Sequence, residues 1–422
     1  MTPGLALFYG GMVRTKNVLG TLMHSVFAMA LMAILWVFVG YSLAFGDDIG
    51  GLIGGLDFIG FRDVGVEPHP AGLGATIPHT LFATFQLMFA VITPALITGA
   101  FAERIKFSGY VAFMSAWLLL VYVPVAHWVF HPDGWLFKLG ALDFAGGTVV
   151  HINAGIAALA VILVVGKRRG FGKEAFVPHN LTMTVLGTGI LWFGWFGFNA
   201  GSALGANGLA ASAFLATNLG AAAGALGWAF MESRKQRKAT TLGVASGAVA
   251  GLVAITPAAG FVGPMGAIAI GLVGGLVCSW AVGLKFRLGY DDSLDVVGVH
   301  LVGGIVGSLL VGVFGTVAVN EFGADGLIAG GGLALMGKQV VAVVATLAFS
   351  FIVTMGIAKA VEATVGLRAS EEDEIAGLDL SQHSEVGYAF AEGGGGMSHT
   401  GHAAEAHSYS ASAVRVPQGN EA

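Results

Sequence analysis

Two histidines stand in the same local wording, far apart in the chain. Val150-His151-Ile-Asn-Ala-Gly155-Ile156 and Val299-His300-Leu-Val-Gly-Gly304-Ile305 both read Val-His-x-x-x-Gly-Ile, each inside a long apolar stretch. A titratable side chain in a membrane helix is expensive and marks a functional site by default. A neutral imidazole carries one donor and one acceptor nitrogen. Two of them brought together can share a proton and offer polar nitrogens to a small solute. No Asp or Glu shares their mid-helix turns, which argues against a cation well at the centre.

Aromatic residues form a second set. Phe85 and Phe89 are four apart and share one helix face. Phe193, Trp195, Phe196 and Phe198 run into Ser202. Such a stripe is most often packing, but at a pore mouth an aromatic face attracts a small cation. The Ser202 hydroxyl can accept a hydrogen bond from that cation. Asp143 and Asp295 each stand just before a histidine segment and read as helix N-caps. Asp143 would also place negative potential beneath an outer cation site. His127, beside Trp128 at a helix end, reads as a helix–helix hydrogen bond or an interfacial group.

The elements that must hold these groups are membrane helices. Of 422 residues, 55% are hydrophobic and 11% charged, and mean hydropathy is +0.80. Soluble domains carry roughly 25% charged residues, so the composition implies a polytopic membrane protein. Glycine, 67 residues, implies closely approaching helices. Segments of spanning length fall at about 20–45, 78–101, 109–130, 146–166, 181–200, 209–231, 241–260, 265–284, 295–318 and 338–364, with residues 1–13 as the end of a further one.

Lys and Arg cluster in alternate linkers: Arg14 and Lys16, Arg104 and Lys106, residues 167–173, residues 234–238, then Lys285 and Arg287. The opposite linkers carry only Arg62, Lys138 and Lys338. The positive-inside rule then puts the N-terminus outside and the C-terminus in the cytoplasm. Ile92-Thr93-Pro94-Ala95 recurs as Ile255-Thr256-Pro257-Ala258. Both repeated words are offset by five helices, an odd number, so the halves have opposite orientation. The expected fold is an all-α, eleven-helix bundle with a 5+5 inverted repeat, roughly 1–166 and 181–318, plus helix 338–364, and a pathway between the halves.

Residues 366–390 are acidic and read as a cytoplasmic segment, residues 391–422 as a disordered tail. His383, His399, His402 and His407 are too irregular for a metal site. Cys278 reads as a packed small hydrophobe. No cofactor, metal or nucleic-acid partner is expected, nor enzymatic activity, and no cleavable signal peptide is evident.

The stretches GLALFYGGMVRTKNVLG, AERIKFSGY, GALDFAGGTVVHINAG, GKEAFVPHNLTMTVLGTGILWFGWFGFNAGSA and DVVGVHLVGGIVGS resemble the ammonium transporter (Amt/Mep/Rh) family, in its bacterial branch. The resemblance runs to about residue 388. It implies transport of ammonium or ammonia, with methylammonium as an analogue, by a homotrimer in the bacterial inner membrane with a pore in each subunit. It matches His151 and His300 to the family's twin-histidine pair, and Phe89 and Phe198 to its phenylalanine gate. It matches Ser202 and Asp143 to the outer ammonium site. The family's outer-site tryptophan falls on Phe130, which offers a π-face but no N–H; Trp128 and Trp135 lie nearby in sequence, and Trp195 and Phe85 are supporting aromatics. It implies that the family's first helix extends upstream of Thr2-Pro3-Gly4. VGLRASEEDEIAGLDLSQHSEVGY resembles the family's cytoplasmic segment and implies docking of a PII-type signalling protein. Two rivals remain: an ammonium sensor coupled to that segment, and a membrane oxidoreductase with His151 and His300 as haem ligands.

Overall fold

The computed structural model describes residues 1–388. The expectation for residues 391–422 lies outside them. Eleven apolar helices follow one another: α1 (Thr2–Met12), α2 (Thr15–Phe45), α3 (His79–Ile97), α4 (Phe107–Leu139), α5 (Gly147–Val165), α6 (Leu181–Gly201), α7 (Gly208–Gln236), α8 (Thr241–Ile255), α9 (Pro264–Leu288), α10 (Val297–Phe314) and α11 (Ala334–Thr364). Nine of these are long and apolar enough to cross a membrane; α8 is apolar but shorter, and α1 has 11 residues. Every segment read from the sequence becomes a helix at nearly its expected place. The chain is an all-α polytopic membrane protein.

Glycine sets the spacing where helices cross. On α7, a Cβ at Gly224 would lie 2.5 Å from the Gly247 carbonyl oxygen and from Gly251 Cα, both on α8. On the other side, a Cβ at Gly275 of α9 would lie 2.2 Å from the Gly224 carbonyl oxygen. With no side chains between them, three backbones pack in van der Waals contact, which is how helices associate when lipid offers no hydrophobic drive.

The repeated Ile-Thr-Pro-Ala words end helices alike. Thr93 Oγ1 donates to the Phe89 carbonyl and Thr256 Oγ1 to the Leu252 carbonyl, each four residues back and each at 2.7 Å. α3 stops at Ile97 and α8 at Ile255. The prolines cannot donate to the preceding turn, so both helices end within a few residues of them.

After α11, two short helices, α12 (Glu371–Ala376) and α13 (Leu378–His383), lie against the start of α2. Asp379 accepts hydrogen bonds from Leu19 N at 3.0 Å and Gly20 N at 2.8 Å. A carboxylate from the far end of the chain thus caps α2. Leu378 N donates to Asn17 Oδ1, and Lys16 Nζ donates to the carbonyls of Glu374 and Ile375.

Candidate functional site

Both histidines sit in the opening turn of their helices, and both turns are wide π-helical ones: Gly147–Ile152 and Val297–Leu301. Such turns recur at functional sites because they re-aim side chains out of the regular helical register. Each turn is anchored by an aspartate eight residues before its histidine. Asp143 accepts from Gly146 N, Gly147 N and Thr148 N at 2.6–2.7 Å, from Val149 N at 3.3 Å, and from the Thr148 hydroxyl. The expected cap reading holds for Asp143. It does not hold for Asp295. The cap of α10 is Asp292, which accepts from Val296 N at 3.0 Å and Val297 N at 2.7 Å. Asp295 has a left-handed backbone (φ 64°) and pairs with Lys285 instead. The order Asp-Asp-Ser-Leu-Asp hides which carboxylate turns inward, and only the eight-residue spacing shared with Asp143 would have singled out Asp292.

The two imidazoles meet. His151 Nδ1 and His300 Nδ1 are 3.2 Å apart, and the rings lie nearly parallel, 14° between planes, centroids 5.3 Å apart. One Nδ1–H therefore donates to the other Nδ1. The donating ring is left with an acceptor Nε2, and the accepting ring with a donor Nε2–H. Among the described residues, His151 Nε2 is buried without a hydrogen-bond partner. A buried ring nitrogen is costly unless it is hydrogen-bonded, so this one is suited to a small guest with a hydrogen to donate or a lone pair to offer.

The glycines of the repeated words make the meeting possible. A Cβ at Gly155 would lie 2.4 Å from Leu301 N, and one at Gly304 would lie 3.1 Å from His151 Cβ. Each glycine lets the opposite histidine turn approach.

The aromatic groups adjoin the pair at His151. Phe89 and Phe198 lie face against face, centroids 4.3 Å apart and 32° tilted. Phe198 is 6.3 Å from the His151 ring. Phe85 packs edge-on against Phe89 at 4.9 Å, and Phe130 approaches Phe89 at 6.2 Å. Ser202 Oγ donates to the Phe198 carbonyl at 3.0 Å, which leaves its lone pairs free to accept. Trp195, read from the sequence with the outer aromatics, instead stacks on His151 at 5.4 Å and donates to Thr256 Oγ1 at 2.8 Å. Helical periodicity turns Trp195 toward the histidines, while Phe193, two residues earlier, is 76% exposed. Trp128 also stands apart from this set. Its ring lies against Phe349 and Trp135, and its Nε1 donates to the Leu52 carbonyl at 2.9 Å. His127 bonds to the Ala44 carbonyl and to Asp48 Oδ1, each at 2.8 Å.

Four cavities border these groups, each sharing lining residues with the next. One of about 300 Å³ lies against Phe85, Phe89 and Phe198. It shares Ile92 and Phe198 with a cavity of about 10 Å³ on the two histidines. That one shares Phe8, Val249 and His300 with a third of about 40 Å³. The third shares Met12, Leu294 and Asp295 with a vestibule of about 530 Å³. A cavity of ~10–15 Å³ holds about one water. The space at the histidines admits one small molecule and no macrocycle. Haem ligation by the pair does not fit, since the rings already touch through Nδ1 and leave no gap for an iron between them.

The sequence profile described as Ammonium Transporter Family matches residues 1–388. An ammonium transporter of Bacillus subtilis is 53% identical over 389 residues, covering 92% of this chain and 95% of that one. The chain belongs to the ammonium transporter family. Among solved structures, Mep2 of Saccharomyces cerevisiae superposes with a TM-score of 0.80 at 40% identity, over 88% of this chain and 84% of that one. A protein described as a sensor Amt protein superposes with a TM-score of 0.81 at 30% identity, over 90% of this chain and 94% of that one. The transporter's central pair, aromatic cluster and cavities are therefore built within a fold shared across the family.

Proposed function

We propose that this ammonium transporter strips ammonium of its proton at the outer aromatic site and passes ammonia along the cavities that His151 and His300 line. The observation that carries this reading is the paired imidazoles with an unpartnered Nε2 in a space of about 10 Å³. Ammonium and potassium are alike in size and charge, and a site that only binds cations separates them poorly. Ammonium differs in having a proton to lose. Burying an intact cation in an apolar tube costs far more than burying a neutral amine that keeps a hydrogen bond. Desolvation therefore drives ammonium toward ammonia, and potassium has no such route.

In this reading Phe130, Phe89, Ser202 and the potential of Asp143 recruit the cation outside. Phe89 and Phe198 form the gate that sheds water. The histidine pair then offers a donor and an acceptor to a guest with both needs. Phe130 attracts a cation less strongly than a tryptophan would. The repeated words, the two π-helical turns and the matched aspartates support an inverted repeat around this site. The Lys/Arg asymmetry of the linkers supports a cytoplasmic C-terminus. The apolar outward faces of α2, α6 and α9 support contact with lipid and with other subunits of a homotrimer. Residues 366–390 form the surface offered to a PII-type protein, their helix Leu378–His383 being seated on α2, and deletion of 366–390 should abolish that binding.

The test is current on reconstituted protein, with ammonium against potassium, for wild type and His151→Ala. The variant should lose ammonium transport or its selectivity over potassium. Normal methylammonium uptake with potassium still excluded would refute the role of the pair. A sensor that does not transport is the second reading, favoured by the docked C-terminal helices, and it predicts binding without flux in the same liposomes.

A further inference from the structure

The inner end of the cavity file holds a lysine placed as a bound ammonium ion would be. Lys285 Nζ lies 2.6 Å from Asp295 Oδ1 and 2.9 Å from the Asp292 carbonyl oxygen. Its head also lies 5.6 Å from the Phe286 ring centroid. A carboxylate, a carbonyl and an aromatic face are the groups that recognise a compact –NH3⁺ head.

The position matters as much as the chemistry. Asp295 is common to the inner cavity that reaches His300 and to the vestibule. It stands five residues before His300 and borders both spaces. Its backbone is held in the left-handed region, a conformation that side-chain-bearing residues adopt only where surroundings impose it, often at ligand clamps. Asp292 is committed to capping α10, so Asp295 is the carboxylate left to face the passage. The lysine side chain is 12% exposed and the aspartate 36%, and both line the vestibule. The open space beside the lysine head gives its flexible stem room to swing away from Asp295.

We propose that Asp295 and the Asp292 carbonyl form an inner ammonium site, and that Lys285 is a tethered competitor for it. Ammonium arriving or re-forming at this face binds only when the lysine head leaves. The lysine thereby sets the affinity of the inner face for ammonium independently of the outer one. This inference rests on the transport reading above.

The test uses the full chain in liposomes of known orientation, with ammonium applied to one face at a time. Lys285→Gln should lower the half-saturating ammonium at the Lys/Arg-rich face by about threefold, the scale of a partly exposed ion pair. Asp295→Asn should raise it by a similar factor. Half-saturation at the other face should move in neither variant. n-Butylammonium, a copy of the lost lysine head on its stem, should restore the wild-type inner value in Lys285→Gln. A mere structural strut predicts the opposite pattern: both variants change in the same direction at both faces, with no effect of butylammonium, and Lys285→Arg restores both. That result would overturn the proposal, as would unchanged inner half-saturation in Asp295→Asn. Absence of ammonium flux from either face in wild type would instead refute the transport reading.

Discussion

At the residue scale, the site combines groups that are ordinary singly and unusual together. A buried imidazole nitrogen without a protein partner is a liability in a packed core, and here the His151 ring lines a space of about one small molecule. Phe198 touches both Phe89 and Trp195 and stands next to His151. Phe198→Ala should therefore act in two ways. Loss of a nearly buried aromatic ring should lower stability by about 3 kcal/mol. If the Phe89/Phe198 stack is the gate proposed above, removing half of it should let water reach the histidines and let potassium or proton current appear. Current recordings in ammonium-free potassium solution check this; a silent variant with normal ammonium transport would show that the ring only packs.

At the element scale, helix starts and helix crossings position the pair. Asp143 satisfies four backbone N–H groups and a hydroxyl at the start of α5. Asp143→Ala should cost about 2 kcal/mol or more, since a cap is lost and buried donors are left unpaired. Thermal unfolding measures that loss. Asp143→Asn keeps an acceptor and should recover part of the stability. If ammonium uptake fails equally in both variants, the negative charge itself matters, as the outer-site role requires. Gly155→Ala removes no polar group, yet its Cβ would sit 2.4 Å from Leu301 N. The two histidine turns must then separate, at a cost of about 1–3 kcal/mol. Uptake should fall more than stability does, because the Nδ1–Nδ1 contact stretches with the crossing; unchanged uptake would show that the contact tolerates movement.

At the scale of the whole molecule, charge is concentrated on one face in a network that joins distant segments. Glu103, in the turn after α3, bonds to Arg14 at 2.8–3.1 Å and to Arg168 at 3.3 Å. Arg168 grips Asp291 with two nitrogens, at 3.0 and 2.9 Å. Burial alone would raise both carboxyls. The arginines outweigh burial and hold Glu103 below its ordinary 4.5 and Asp291 below its ordinary 3.8. A depressed carboxyl stabilises the folded state above its unfolded pKa, and that stabilisation is lost as pH falls through the folded value. Unfolding temperature in detergent should therefore not vary with pH through these groups near neutrality, where their stabilisation is complete, and should drop below about pH 4. Glu103→Gln should be less stable at neutral pH and show a shallower acid slope. An identical slope would mean that other carboxylates govern acid unfolding.

Much of this was legible in the chain itself. Composition dictated a membrane bundle, because so few charges over 422 residues cannot clothe a soluble surface. The helices came out nearly where the apolar runs fell, since a bilayer imposes one length on them all. The matching words around His151 and His300 marked the pair before any contact was known. Three-dimensional packing alone decided the rest. Whether the imidazoles touch depends on a 2.4 Å clearance at Gly155, which no pattern of letters conveys. Trp195 went to the histidines and Trp128 to Phe349 because a helix rotates its side chains by position, whatever the company they keep in sequence. The roles of Asp292 and Asp295 were separated by which carboxylate the backbone turned inward. The cap that Asp379 supplies to α2 joins residues some 360 positions apart, a distance over which sequence carries no local signal.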